Sequence, residues 1–139
     1  MEYHEVKNGL KAGLQFAGLD ETTAATLLWR GEEQTLCHGE IIYAEGEELD
    51  QTFCLLLSGS LEVSHKESVV AGVAQSRFFG EMAYFANPKT RGATVTVSSS
   101  EAVILRFHLT TAELASPRFR TLRQYLSHQK WDRMMALAA

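Results

Sequence analysis

Absences narrow this sequence first. It has only two cysteines in 139 residues, Cys37 and Cys54, and no C-x-x-C pair. One disulfide between them is conceivable, but free, buried thiols in a reducing compartment are the expected state. No G-x-S-x-G elbow and no P-loop pattern occurs, so neither a nucleophile-elbow hydrolase nor a P-loop nucleotidase is signalled. The five histidines, at 4, 38, 65, 108 and 128, contain no His-x-His pair. A cupin-like metal enzyme would need one, so no metal ligands and no catalytic residues are expected. Positive charge is not in excess: the net charge is −4 and the pI near 5.7, against a chain that grips the backbone of DNA or RNA. The longest apolar runs, such as "FCLLL", are too short to span a bilayer. Residues 1–20 mix Glu2, His4, Glu5, Lys7 and Lys11 with short apolar spacers; this is no signal peptide, and the cytoplasm is the expected location. There is no internal repeat and no linker-like stretch.

What is present falls into three parts within one expected domain, residues 1–139: N-terminal helices over 1–33, a β-roll over 34–108 and C-terminal helices over 109–139. In "LKAGLQFAGLDETTAATLLWRGEE", Leu10, Leu14 and Phe16 suggest a short helix ending near Gly18. A second helix would be capped by Asp20, bury Ala24, Leu27 and Leu28, and end at Gly31. Trp29 is expected in the core between this helix and the roll.

From Gln34 to His108 short β-prone runs alternate with glycines. "LEVSH" and "ATVTV" alternate as half-buried strands do, whereas "CLLL" and "AVIL" are continuous, as strands covered on both faces are. Ser58-Gly59 reads as a hairpin turn. Some eight short strands at close spacing indicate a mainly β fold, a rolled-up antiparallel sheet of jelly-roll kind. Beyond it, "LTTAELA" reads as a short helix, and Ser116-Pro117 opens a longer one with Ser as its cap.

The chemistry concentrates in "RFFGEMAYFANPKTRGATV", Arg77 to Val95. A phosphate is held well by backbone N–H groups at a helix start together with an arginine. Gly80 heads a stretch with helix-forming residues for about one turn, Glu81 to Ala86, and Gly92 and Ala93 are small enough for main-chain amides to approach a ligand. Glu81 would repel a phosphate; facing the same pocket, it would accept hydrogen bonds from sugar hydroxyls. A cyclic nucleotide fits the pairing best. The alternative is a structural Glu81–Arg91 ion pair of small energetic value.

At these residues the chain resembles the cyclic-nucleotide-binding domain family, the β-roll of the catabolite-activator and protein-kinase regulatory-subunit type. The family's phosphate cassette runs roughly Phe-Gly-Glu, a hydrophobic and a small residue, a variable loop, then Arg, a small residue, Ala and Thr-Val. Here it reads Phe79-Gly80-Glu81-Met82-Ala83, the loop 84–90, and Arg91-Gly92-Ala93-Thr94-Val95. "FAGLDETTAATLL", "HGEIIYAEGE" and "TFCLLLSGSLEVS" resemble its entry helix, second strand and central hairpin.

The resemblance implies that Glu81 accepts the ribose 2′-hydroxyl and Arg91 pairs with the cyclic phosphate. Amides near Gly80, Met82, Ala83, Gly92 and Ala93 complete the cradle, and the last helix closes over the base with Lys130, Trp131 and Met134 facing it. Two positions depart from the pattern. Ser76-Arg77 stands where the family usually has Gly-Asp. Gly92 replaces a frequent Thr or Ser, which leans towards cAMP over cGMP.

The function expected from this is a non-enzymatic regulatory module that senses a cyclic nucleotide and signals by repositioning its C-terminal helix. That helix is the candidate homodimer or effector contact. The alternative is an interaction or scaffold domain with the same fold that binds no nucleotide.

Overall fold

The computed structural model describes residues 3–85 and 90–138, and of 130–138 only the backbone. Two helices, α1 (Tyr3–Phe16) and α2 (Glu21–Trp29), lead into eight strands: β1 (Gly31–Cys37), β2 (Ile41–Tyr43), β3 (Thr52–Ser58), β4 (Leu61–His65), β5 (Ser68–Val73), β6 (Phe78–Phe79), β7 (Thr94–Val97) and β8 (Glu101–His108). A 3-10 turn, Glu81–Tyr84, interrupts the strands between β6 and β7. Helices α3 (Thr111–Leu114) and α4 (Arg120–Ala138) follow, with a 3-10 turn, Pro117–Phe119, leading into α4. The strands form two antiparallel four-stranded sheets, ordered β1-β8-β3-β6 and β2-β7-β4-β5, which is the expected eight-stranded roll.

The continuous apolar strands are explained by position. In β3 every residue is buried. Phe53, Leu55 and Leu57 face the helices, in a cluster with Leu27, Phe78, Phe107, Leu114, Phe119, Leu122 and Leu126. Cys54 and Leu56 face the interior of the roll, with Tyr43, Leu61, Phe79, Val95 and Ile104. A strand covered on both faces has no polar side to show.

Local signals hold in part. Asp20 caps α2, its carboxylate accepting the Thr23 N–H at 2.7 Å. Gly31, however, does not serve as a left-handed helix cap. Arg30 ends the helix and Gly31 opens β1, where a Cβ would stand 2.9 Å from the Leu105 side chain. The upstream helix is longer than expected, at 14 residues. Ser58-Gly59 makes a turn, yet β3 and β4 lie in different sheets, so it is a crossing between layers and not a hairpin. The true hairpin is β4–β5, turned by Lys66 and Glu67, both at positive φ. Ser116 precedes the final helix without a side-chain cap bond. Trp29 is 88% exposed: α2 buries Leu27 against the sheet, and Trp29, two residues on, points away from it. Of the two free cysteines only Cys54 is buried.

The C-terminal helices are tied to the N-terminal ones by charge. Glu113 completes a capping box with Thr110 at the start of α3 and is held by two hydrogen bonds from Arg30. The Arg30 guanidinium, then the Thr110 N–H, push the Glu113 carboxyl down to about 2. A carboxyl depressed in the folded state stabilises it above the unfolded value of 4.5 and loses that effect as pH falls through about 2. Glu113→Gln should therefore lower the melting temperature at pH 7, and the gap from the parent should shrink as melts are run at successively lower pH below 4.5. A gap that stays constant with pH contradicts this role.

Candidate functional site

The candidate segment leaves β5 through a turn at residues 74–77. The Ser76 N–H donates to Leu56 O at 2.7 Å and the Leu56 N–H to Arg77 O at 2.9 Å. Ser76 is buried and sits at φ 71°, a left-handed conformation that glycine adopts without penalty. The turn thus carries a side chain at a left-handed position that favours glycine, while Arg77 is exposed. Relief of that strain should make Ser76→Gly more stable by about 1 kcal/mol, read from the urea midpoint at unchanged slope; a lower midpoint would mean that buried contacts of the hydroxyl outweigh the strain.

After β6, Gly80 turns at φ 84°, and a Cβ there would meet the Tyr43 ring at 2.7 Å. Both facts demand glycine. Glu81, the first residue of the following 3-10 turn, has no exposed surface, and Met82 is half-buried. Ala83 lies in the same turn, its side chain outside the described residues. The Tyr84 hydroxyl donates to Leu109 O at 2.7 Å, fastening the turn to the junction of β8 and α3.

Beyond residues 86–89 the backbone at Arg91 is clamped by the loop after β2: its N–H donates to Glu47 O at 2.8 Å, and its carbonyl accepts the Gly46 N–H at 2.9 Å. The side chain turns inward and is 6% exposed. Its Nη1 donates to Gly80 O at 2.8 Å, and its Nη2 to Asp50 Oδ1 at 2.7 Å and Thr52 O at 3.2 Å. Its Cζ lies over the Tyr43 ring, 3.8 Å from the centroid. The Nε–H is buried and has no acceptor among the described residues. Arg91 thus reaches the residue that precedes Glu81, and the carboxylate it meets is that of Asp50.

Asp50 is half-exposed. Burial works against its charge, but the Thr52 hydroxyl and the Arg91 guanidinium outweigh that and hold its carboxyl below the usual range. Burial pushes the Tyr43 phenol well up and the Cys54 thiol up, so both stay neutral beside the guanidinium.

On the far side of Arg91, Gly92 is exposed, with nothing within 4 Å of where a Cβ would stand. Its carbonyl accepts a hydrogen bond from His65 Nδ1 at 2.9 Å, and Glu45 lies 3.5 Å from the same nitrogen. Ala93 is half-buried and leads into β7. Two hollows open beside the segment. One, of about 270 Å³, is lined by Leu49, Asp50, Gln51, Tyr84 and Thr111. The other, of about 540 Å³, is lined by Glu45, Ser64, Lys66, Glu67 and Thr94.

Helix α4 packs against the 3-10 turn that carries Glu81, and Tyr125 meets the ring of Phe78 edge-on at 6.0 Å. Lys130, Trp131 and Met134 are further along α4, and their side chains lie outside the described residues. Among the described residues no cluster of His, Cys, Asp or Glu could hold a metal ion, and no helix is long and apolar enough to cross a membrane. Sequence reasoning missed Tyr43, Asp50 and Thr52. The only local signal was one acid and one hydroxyl directly ahead of the most apolar strand.

A family model described as "Cyclic nucleotide-binding domain" matches residues 33–112. Among curated proteins no match to this sequence is found. Solved structures share the fold at low identity. One described as "Sp-2Cl-cAMPS bound to PKAR CBD2" is 20% identical with a TM-score of 0.77, covering 94% of this chain and 85% of that one. The regulatory domain of Toxoplasma gondii protein kinase A with cAMP is 23% identical with a TM-score of 0.67, over 83% of this chain and 45% of that one. The regulatory subunit of a cAMP-independent protein kinase A from Trypanosoma brucei is 15% identical with a TM-score of 0.69, over 87% of this chain and 44% of that one. The chain spans less than half the length of the latter two.

Proposed function

The chain belongs to the cyclic nucleotide-binding domain family, and we propose that it is a regulatory, non-enzymatic module that binds a cyclic nucleotide and reports occupancy through its C-terminal helix. The observation that carries this reading is Arg91, a guanidinium 94% removed from solvent whose Nε–H has no acceptor among the described residues. A buried donor without an acceptor is costly, and an incoming phosphate oxygen relieves that cost. Glu81, at the head of the same cradle, accepts the ribose hydroxyl. The amides at Gly80, Met82, Ala83, Gly92 and Ala93 approach the phosphate, and Lys130, Trp131 and Met134 cover the base.

The signal follows from the packing of α4 on the turn that carries Glu81 and from the Tyr84–Leu109 bond. A ligand that draws this turn inward favours one placement of α4 over another, by no more than its difference in affinity for the two. The same helix supplies the contact to a second copy or an effector protein, and the cytoplasm is where such a ligand is met.

Charge-assisted bonds to Arg91 contribute about 1.5–3 kcal/mol each, so Arg91→Ala should bind cAMP at least about tenfold more weakly in calorimetry. The parent protein at a hundred times Kd should gain about 2.7 kcal/mol of unfolding free energy. The competing reading, a scaffold domain that binds no nucleotide, draws on Asp50 already resting against Arg91; no stabilisation by millimolar cAMP or cGMP would establish it instead.

Preference for cAMP over cGMP rests on Gly92, which offers no hydroxyl to a guanine amino group. The space around its α-carbon is open, so Gly92→Ser should fold unchanged and narrow the ratio of cGMP to cAMP dissociation constants. An unaltered ratio would show that position 92 does not select the base.

A further inference from the structure

The geometry points to Tyr43 as the positioning residue of the anion site, one that fixes Arg91 both through its ring face and through a one-way hydrogen-bond chain ending on Asp50. This rests on the phosphate role given to Arg91 above. The ring is 2% exposed and lies under the guanidinium, whose Cζ stands 3.8 Å from its centroid, a cation–π contact strengthened by the absence of water. The same ring closes the space at Gly80, the residue whose carbonyl takes the Arg91 Nη1–H. Tyr43 therefore touches both ends of the bond that joins Arg91 to the Glu81 turn.

The second hold follows from counting protons. Thr52 has one hydroxyl hydrogen, and it goes to Asp50 Oδ1 at 2.7 Å, since an ionised carboxylate only accepts. The 2.8 Å contact between the Tyr43 and Thr52 hydroxyls must then carry the phenol's proton. The Cys54 thiol, 3.3 Å from the phenol oxygen, is left as donor to it. The direction is fixed throughout: Cys54 to Tyr43, Tyr43 to Thr52, Thr52 to Asp50, and Asp50 also accepts from Arg91. Each link polarises the next, and the chain closes on the guanidinium that the same ring carries. Arg106, 5.5 Å from the centroid of that ring, keeps a second positive charge nearby, so Asp50 is shared between two fields.

The arrangement makes Arg91 rigid before any ligand arrives. Its plane is set by the ring, its Nη2 by Asp50 and Thr52, and its Nη1 by Gly80. The Nε–H remains for the anion. A guanidinium placed in advance loses little entropy on binding.

The test uses Tyr43→Phe, which keeps the ring and breaks the chain, Tyr43→Leu, which removes both, and Thr52→Val, which breaks the chain one link later. Each is checked for folding by thermal melting. Tyr43→Leu should weaken cAMP by about tenfold. Tyr43→Phe and Thr52→Val should each weaken it by about threefold, with the double variant no weaker than about threefold because both cut one chain. A ligand-free readout accompanies them: the Arg91 Nε–H proton resonance should be displaced upfield by the ring in the parent and in Tyr43→Phe, and return to the position of exposed arginines in Tyr43→Leu.

Wild-type affinity in a folded Tyr43→Leu, additive losses in the double variant, or an undisplaced Arg91 signal in the parent would each overturn the proposal. If Tyr43→Leu does not fold, the two chain variants and the parent spectrum decide it. If the parent binds no cyclic nucleotide, the functional reading fails, and the Arg91 resonance alone decides whether Tyr43 positions it.

Discussion

A permanent charge buried in an apolar roll constrains everything around it. Arg91 is 6% exposed, and a guanidinium cannot escape its charge by releasing a proton. Its surroundings must therefore supply acceptors, and they come from two separate stretches: the carbonyl of Gly80 from one, and the carboxylate of Asp50 with the carbonyl of Thr52 from the other. Each has a structural consequence. Gly80 must be glycine because the Tyr43 ring stands where its side chain would be. The start of β3 must run close to the cassette so that Thr52 can offer its carbonyl. The register shift in β2 between Ile41 and Tyr43 turns Tyr43 inward beside Ile42, where a regular strand would alternate in and out.

The same constraint links the site to the helices. The turn that carries Glu81 is short, and its position is set at one end by β6 pairing with β3 and at the other by Tyr84 bonded to Leu109. Leu109 lies one residue before the capping box of α3. Phe78, the residue paired with Leu55 in the sheet, meets Tyr125 of α4. The turn and the strand before it are thus joined to both C-terminal helices, through a polar bond and an aromatic contact.

Much of the fold was legible because it depended on local pattern. The eight β-prone runs became eight strands, and the doubly buried "CLLL" and "AVIL" stood out from the alternating "LEVSH" and "ATVTV" because burial on two faces erases polarity. The failures share a different cause. Whether β4 pairs with β3 or crosses to the other sheet is not a property of Ser58-Gly59, whose turn is the same in either case; it follows from where β7 and β8 complete the two sheets. The β4–β5 hairpin was hidden because Lys66 and Glu67 adopt positive φ without being glycine or asparagine. For Trp29, expected in the core, the direction its side chain takes from the helix decides its exposure. In the site, Glu81 and Arg91 were visible through their spacing, but Asp50 and Tyr43 lie 41 and 48 residues before the arginine they serve, and only the rolled sheet brings them to it.

The two unusual neighbours of the cassette then separate by what they disturb. Ser76 takes a backbone conformation that favours glycine, at the expense of strain in the turn ahead of the site. Gly92 removes a side chain from a place where nothing fills the space, and His65 takes hold of its carbonyl instead. Neither touches the acceptors of Arg91. A domain that needed only the roll would be better served by an apolar residue at position 91, because a buried ion pair seldom exceeds a well-packed hydrophobic replacement in stability. Here the guanidinium has three hydrogen-bond acceptors and a ring beneath it, with its Nε–H left without an acceptor among the described residues. On the proposed function, a phosphate oxygen would supply the acceptor that this donor lacks.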